Sequence, residues 1–336
     1  MKIIILIMFC VLLLNGASHA EEKIIFKDGV NFEKKLSDNN VFFKNCVDFE
    51  ILPLNNVGFF LDKEYGVIFK IELSSGKLLK TISSKGQGPG ELHLPISLCV
   101  RNNMIFVLDK GFNGIQIFDL EGKFVNSFRI QSTLFGSRNI YVNEKNEIFV
   151  GKINTLSNTM VTVYDLKGKE LESMIQFQKD GKKDNTRESL MRKAYLINLD
   201  SKGNIFILYY ILRKLAKYNR KGDILWETYI KNEILDTFPK DDYANRDGKK
   251  YTMKNYIFNL DITSRDEIVV GHAGGGCVFT PDGKMEELIL LNEKIGDNNE
   301  YHFLNLHTFK IRGNMLMNLL VFGNIIYNYQ YKEEVK

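Results

Sequence analysis

Five short turns of one kind punctuate this chain, and they restrict its possible folds more than any other feature. They are Ser75-Gly76-Lys77, Glu121-Gly122-Lys123, Lys167-Gly168-Lys169, Lys221-Gly222-Asp223 and Asp282-Gly283-Lys284. A second marker, a polar turn ahead of an apolar run, occurs six times. Its copies are Asn55-Asn56, Asn102-Asn103, Lys145-Asn146-Glu147, Gly203-Asn204, Asp266-Glu267 and Gly313-Asn314. Self-similarity at a period of roughly 40–50 residues marks a repeat architecture, in which each unit buries its apolar faces only against its neighbours.

The unit is clearest after Gly86-Gln87-Gly88-Pro89-Gly90-Glu91. Four short runs follow: Ile96 to Val100, Met104 to Leu108, Gly114 to Phe118 and Phe124 to Phe128. Tight polar turns join them, so the unit reads as a four-stranded antiparallel meander. Its inner runs are nearly unbroken in their apolar character, which suits strands covered on both faces. The expected fold is therefore all-β: a six-bladed β-propeller of four-stranded antiparallel blades spanning residues 23–334. The sixth copy of the Gly turn is missing, and little chain remains after Tyr331. An apolar strand at Lys23-Ile24-Ile25-Phe26 is accordingly expected to complete the last blade and close the ring, removing open sheet edges.

Residues 1–20 read as a signal peptide and not as part of the fold. Lys2 supplies the positive end, Ile3 to Leu14 the apolar stretch, and Ser18-His19-Ala20 the small-residue cleavage site. Cleavage is expected after Ala20, leaving a protein exported to the periplasm or beyond, with no later run long enough to span a membrane. Loss of Lys2 takes the formal charge from +4 to +3. The basic residues are scattered, against the concentrated stripe that nucleic-acid binding requires. Of the four cysteines, Cys46, Cys99 and Cys277 survive processing. Cys46 and Cys99 fall on the first strands of adjacent units, so they are read either as a disulfide or, more simply, as buried thiols.

The motif Gly86-x-Gly88-Pro89-Gly90-Glu91, followed by Ile105-Phe106-Val107-x-Asp109 and Ile115-Gln116-Ile117-Phe118-Asp119-x-x-Gly122-Lys123-Phe124, resembles an NHL repeat. It is most similar to exported bacterial propellers of the TolB-like and NHL kind. One departure is that NHL repeats usually carry an arginine before the third strand, where this chain has Gly114, Gly66 and Gly276. The resemblance implies the fold. The family is functionally mixed, so no active site is carried across.

Two long connections, Gln178 to Lys193 and Lys231 to Asn255, each join a fourth strand to the next first strand and so belong to one face of the disc. Loops of this length are uncommon unless functional or disordered. That face is expected to bind a protein, peptide or glycan without catalysis, the chain acting as a monomer and with no cofactor. The alternative is a calcium- or zinc-dependent hydrolase or lyase working in the central channel. Candidate ligand-binding residues are Asp62 and Asp109, which end second strands, their neighbours Lys63 and Lys110, Arg138 at the start of a first strand, and His272. The plainer reading of the aspartates is turn capping. No catalytic residue or metal ligand is assigned, for the sequence contains neither a Gly-x-Ser-x-Gly element nor a Cys-x-x-Cys pair.

Overall fold

The structure, a computed structural model, describes residues 26–130, 136–152, 159–176, 194–230, 243–246, 249–252, 257–272, 275–289, 292–295, 300–303, 308–312, 315–320 and 325–331. Five of its four-stranded sheets are antiparallel meanders in which chain order equals spatial order. Blade 1 consists of Cys46–Leu52, Val57–Asp62, Val67–Glu72 and Leu78–Ile82. Blade 2 consists of Pro95–Arg101, Met104–Asp109, Gly114–Asp119 and Phe124–Arg129. Blade 3 is Gly136–Val142, Ile148–Lys152, Thr159–Tyr164 and Glu170–Gln176. Blade 4 is Leu196–Leu199, Ile205–Tyr209, Lys214–Tyr218 and Ile224–Tyr229. Blade 5 is Ile257–Ile262, Ile268–His272, Gly275–Phe279 and Met285–Ile289.

The expectation of six blades is corrected to five: five blades are each drawn from one continuous stretch of chain. What stands between blade 5 and blade 1 is a closing sheet made from both ends of the chain. It runs Thr308–Arg312, Met315–Leu320, Ile325–Tyr331 and then Phe26–Asn31. The physical reason is that no Gly turn follows the third strand here, so the C-terminal segment cannot form a blade by itself. The N-terminal strand supplies the outer edge instead, pairing Phe26 with Tyr331 and Asn31 with Tyr327. Of the stretch expected to do this, Lys23, Ile24 and Ile25 lie outside the described residues, as do residues 1–20.

Alternation along the second and third strands builds the core between blades. Phe59, Leu61 and Ile68 of blade 1 meet Leu98, Val100, Ile105 and Val107 of blade 2. The opposite face of blade 2, with Phe106, Leu108, Ile115 and Ile117, meets Ile140, Val142, Ile148 and Val150 of blade 3. Both faces of these strands are thus covered, which explains their nearly unbroken apolar sequence. Each fully buried Leu, Ile or Phe contributes about 2–3 kcal/mol relative to exposure. The outer face of blade 1 is covered by the short helix Phe32–Asp38 and the chain after it, through Leu36, Val41 and Phe43.

The Gly turns now acquire a second cause. Gly122, Gly168, Gly222 and Gly283 have φ between +78° and +88°, which only glycine adopts cheaply. Each is also pressed against the outer strand of the preceding blade. A Cβ on Gly122 would meet Ile82 at 2.6 Å, one on Gly168 would meet Phe128 at 2.4 Å, and one on Gly283 would meet Trp226 at 2.8 Å. For blade 1 the helix takes the place of that outer strand, and Gly76 abuts Lys35. The marker therefore records how blades dock as well as how strands turn.

The two long connections leave from the ends of blades 3 and 4, as the spacing implied. Their side chains lie outside the described residues, but the second contains a hairpin, Tyr243–Arg246 paired with Lys249–Thr252. A third long connection went unread in the sequence. It joins blade 5 to the closing sheet and carries its own hairpin, Asn292–Ile295 with Glu300–Phe303.

Candidate functional site

The first strand of each blade and Thr308–Arg312 of the closing sheet line the axis, and together they enclose a channel with a volume of about 1480 Å³. Polar side chains on these strands reach around the axis from one strand to the next. Asp48 of blade 1 accepts from Ser97 Oγ at 2.9 Å and Leu98 N at 2.8 Å in blade 2. Ser97 Oγ accepts in turn from Ile140 N of blade 3 at 3.3 Å. Asn139 exchanges two hydrogen bonds with the Ile197 main chain of blade 4, at 2.6 and 3.0 Å. Asn198 reaches Leu260 O of blade 5 at 3.5 Å. Asn259 donates to Phe309 O at 2.9 Å, and Asp261 accepts from Ile311 N at 2.8 Å.

Arg312 of the closing sheet completes the circuit. Its guanidinium contacts Glu50 of blade 1 at 2.7 Å and Asp261 of blade 5 at 3.0 Å. One planar fork thus ties three sheets together, a geometry that arginine supplies and lysine does not. Removing either partner of such a recessed pair leaves an uncompensated charge, at a cost of about 3–5 kcal/mol. Lys310, two residues earlier, has its Nζ 3.8 Å from Asp48 and 3.9 Å from Glu50. Those separations attract without forming hydrogen bonds. Burial works against the Lys310 ammonium, but Asp48, Glu50 and Asp261 outweigh it and push its pKa up. It stays charged at any physiological pH.

The residues singled out in the sequence are distributed differently. Asp62 takes four main-chain N–H groups: Lys44 at 2.6 Å and Asn45, Glu64 and Tyr65 at 2.9 Å. Asp109 does the same for His93, Leu94, Gly111 and Phe112, at 2.7 to 3.1 Å. Each carboxylate ties the incoming chain to the outgoing turn, and both are fully buried. His272 occupies the matching place at the end of the second strand of blade 5; it is buried and does not line the channel. Lys63 and Lys110 do line it, at the mouth that bears the long connections. Arg138 lies in the first strand of blade 3, and its side chain falls outside the described residues.

Sequence reasoning missed Asp48, Glu50, Asp261, Lys310 and Arg312. A signal existed: charges two residues apart interrupt first strands that are otherwise apolar, as in Asp48-Phe49-Glu50 and Lys310-Ile311-Arg312. Cys46, Cys99 and Cys277 are all buried, and Cys46 and Cys99 are free thiols, not a disulfide. Burial pushes the Cys99 thiol up to about 11. Among the described residues no three His, Cys, Asp or Glu side chains are grouped as metal ligands.

No protein-family model and no curated protein matches the chain. Solved structures do. A catalytically inactive variant of virginiamycin B lyase from Staphylococcus aureus, solved with quinupristin, aligns with a TM-score of 0.56 and 11% identity, covering 90% of this chain and 98% of that one. A Bacteroides fragilis protein described as exported aligns with a TM-score of 0.56 and 14% identity, over 95% and 98% of the two chains. The WD40 repeats of RRP9 align at 0.51 and 10% identity, over 93% and 99%. At such identities the likeness is one of fold alone, and the fold is a β-propeller.

Proposed function

We propose that the protein is an exported, non-catalytic binding module of the NHL or TolB-like kind, which takes a protein, peptide or glycan at the face bearing its long connections. One observation carries this reading. Three successive connections between sheets, residues 177–195, 230–256 and 290–307, are long, two of them fold into hairpins, and all leave from the same ends of the strands. The turns from third to fourth strands, on the opposite face, remain tight Gly turns throughout blades 1 to 5. Elaboration confined to one mouth of a rigid scaffold is how loops carry recognition. The apolar leader in residues 1–20 and the likeness to an exported neighbour support export.

The test replaces residues 178–193 with a short Asn-Gly turn. The shortened protein should melt with the parent yet lose the ligand that the parent captures by cross-linking from its native envelope fraction. Capture of the same ligand by both would overturn the reading. N-terminal sequencing of the exported protein should begin at Glu21.

A further inference from the structure

We infer that the axial channel is itself an anion site, which takes a carboxylate-bearing ligand onto Lys310 from the mouth where Lys63 and Lys110 stand. The inference rests on the binding-module reading and adds the chemistry of what is bound. Its first support is where the charges sit. The acidic side chains of the inner strands are recessed: Glu50 and Asp261 are only 6% and 5% exposed, and Asp48 is 11% exposed. The basic ones project into the lumen, with Arg312 at 32%, Arg101 at 37% and Lys310 at 18%. Among the charges of the inner strands a ligand meets cations first, while the exposed Glu144 beside Arg101 stands in the loop beyond Gly136–Val142.

The second support is how the hydrogen-bonding capacity is used. The Asp48 oxygens accept from Phe49 N, Leu98 N and Ser97 Oγ. Those of Asp261 accept from Ile262 N, Ile311 N and Arg312. Those of Glu50 accept from Ile51 N and Arg312. The recessed carboxylates are each engaged by donors of the protein, whereas Lys310 stands beyond hydrogen-bond distance of both carboxylates it faces. Its ammonium carries three donors. A carboxylate supplied from outside can take them in charge-assisted bonds, which are shorter and stronger than neutral ones. The lining as a whole contains more basic than acidic residues.

Citrate is the probe, titrated calorimetrically at fixed ionic strength, with spermine as its cationic counterpart. Citrate should bind the whole chain saturably and spermine should not. Lys310→Met should weaken citrate at least about tenfold, the loss of one charge-assisted contact, and Lys310→Arg should largely retain it. No citrate heat, equal affinity in Lys310→Met, or binding of spermine instead would each overturn the inference. Should Lys310→Met fail to fold, the parent's structure in citrate decides. Citrate oxygens within about 3 Å of Lys310 Nζ support the site, and citrate elsewhere refutes it. The protein shortened at residues 178–193 should still bind citrate, so failure of the face reading and failure of the channel reading are told apart.

Discussion

Asp62 and Asp48 are both buried aspartates on blade 1, yet they do different work. Asp62 satisfies four main-chain N–H groups within its own blade, while Asp48 crosses to blade 2. The sequence offered Asp62 and Asp109 as candidate ligand groups because they end second strands at the channel mouth, with turn capping as the plainer reading. Each accepts four main-chain N–H groups, as capping requires. Replacing Asp109 with Asn tests this directly. Asparagine offers one oxygen where two were used and turns an NH₂ toward N–H donors. Asp109→Asn should therefore cost about 3 kcal/mol of stability, read from urea unfolding at unchanged m-value. A loss below about 1 kcal/mol would mean that the four hydrogen bonds are not what holds this corner, and would return Asp109 to the list of groups available to a ligand.

At the scale of the element, the Gly turns explain what was legible in the sequence. A turn that demands positive φ and also contacts the neighbouring blade is restricted twice, so it survives where the strands around it have diverged. Gly168 and Gly203 separate the two restrictions. Both have positive φ, at +81° and +79°. A Cβ on Gly168 would stand 2.4 Å from Phe128, whereas one on Gly203 would meet nothing within 4 Å. Gly203→Ala should cost about 1 kcal/mol, the backbone penalty alone. Gly168→Ala should cost about 3 kcal/mol, because overpacking adds to that penalty. Equal losses in thermal or urea unfolding would show that the turns do not register the blades. The site was less legible for a related reason. Asp48, Ser97, Asn139 and Asn198 bridge strands 40 or more residues apart in sequence, and each looks locally like one polar residue in an apolar strand. Only the closed ring reveals that they meet. That an N-terminal strand closes the last sheet could be read because a missing Gly turn at the other end of the chain left a place for it, but the paired strand is Phe26–Asn31, where the sequence suggested Lys23 to Phe26.

At the scale of the whole molecule, that strand is what distinguishes a closed ring from an open one. The innermost strands close through Arg312, which bridges blade 5 and blade 1. The outer edge closes through Phe26–Asn31 laid along Ile325–Tyr331, and the chain then runs directly into the helix packed on blade 1 through Leu36. A chain beginning at residue 32 keeps the first closure and loses the second. Its strand Ile325–Tyr331 then presents a row of unpaired N–H and C=O groups, a template for pairing with another copy. Such a truncation should lower the melting midpoint by roughly 10 °C and should produce concentration-dependent oligomers in sedimentation velocity, while the parent sediments as a monomer. A synthetic peptide spanning residues 21–33, added in excess, should restore both, since binding to the folded state alone stabilises it by mass action. A truncated chain that stays monomeric with an unchanged midpoint would show that the disc is held by its inner strands alone. The long connections would then project from an open ring, one free to widen its channel when a ligand enters.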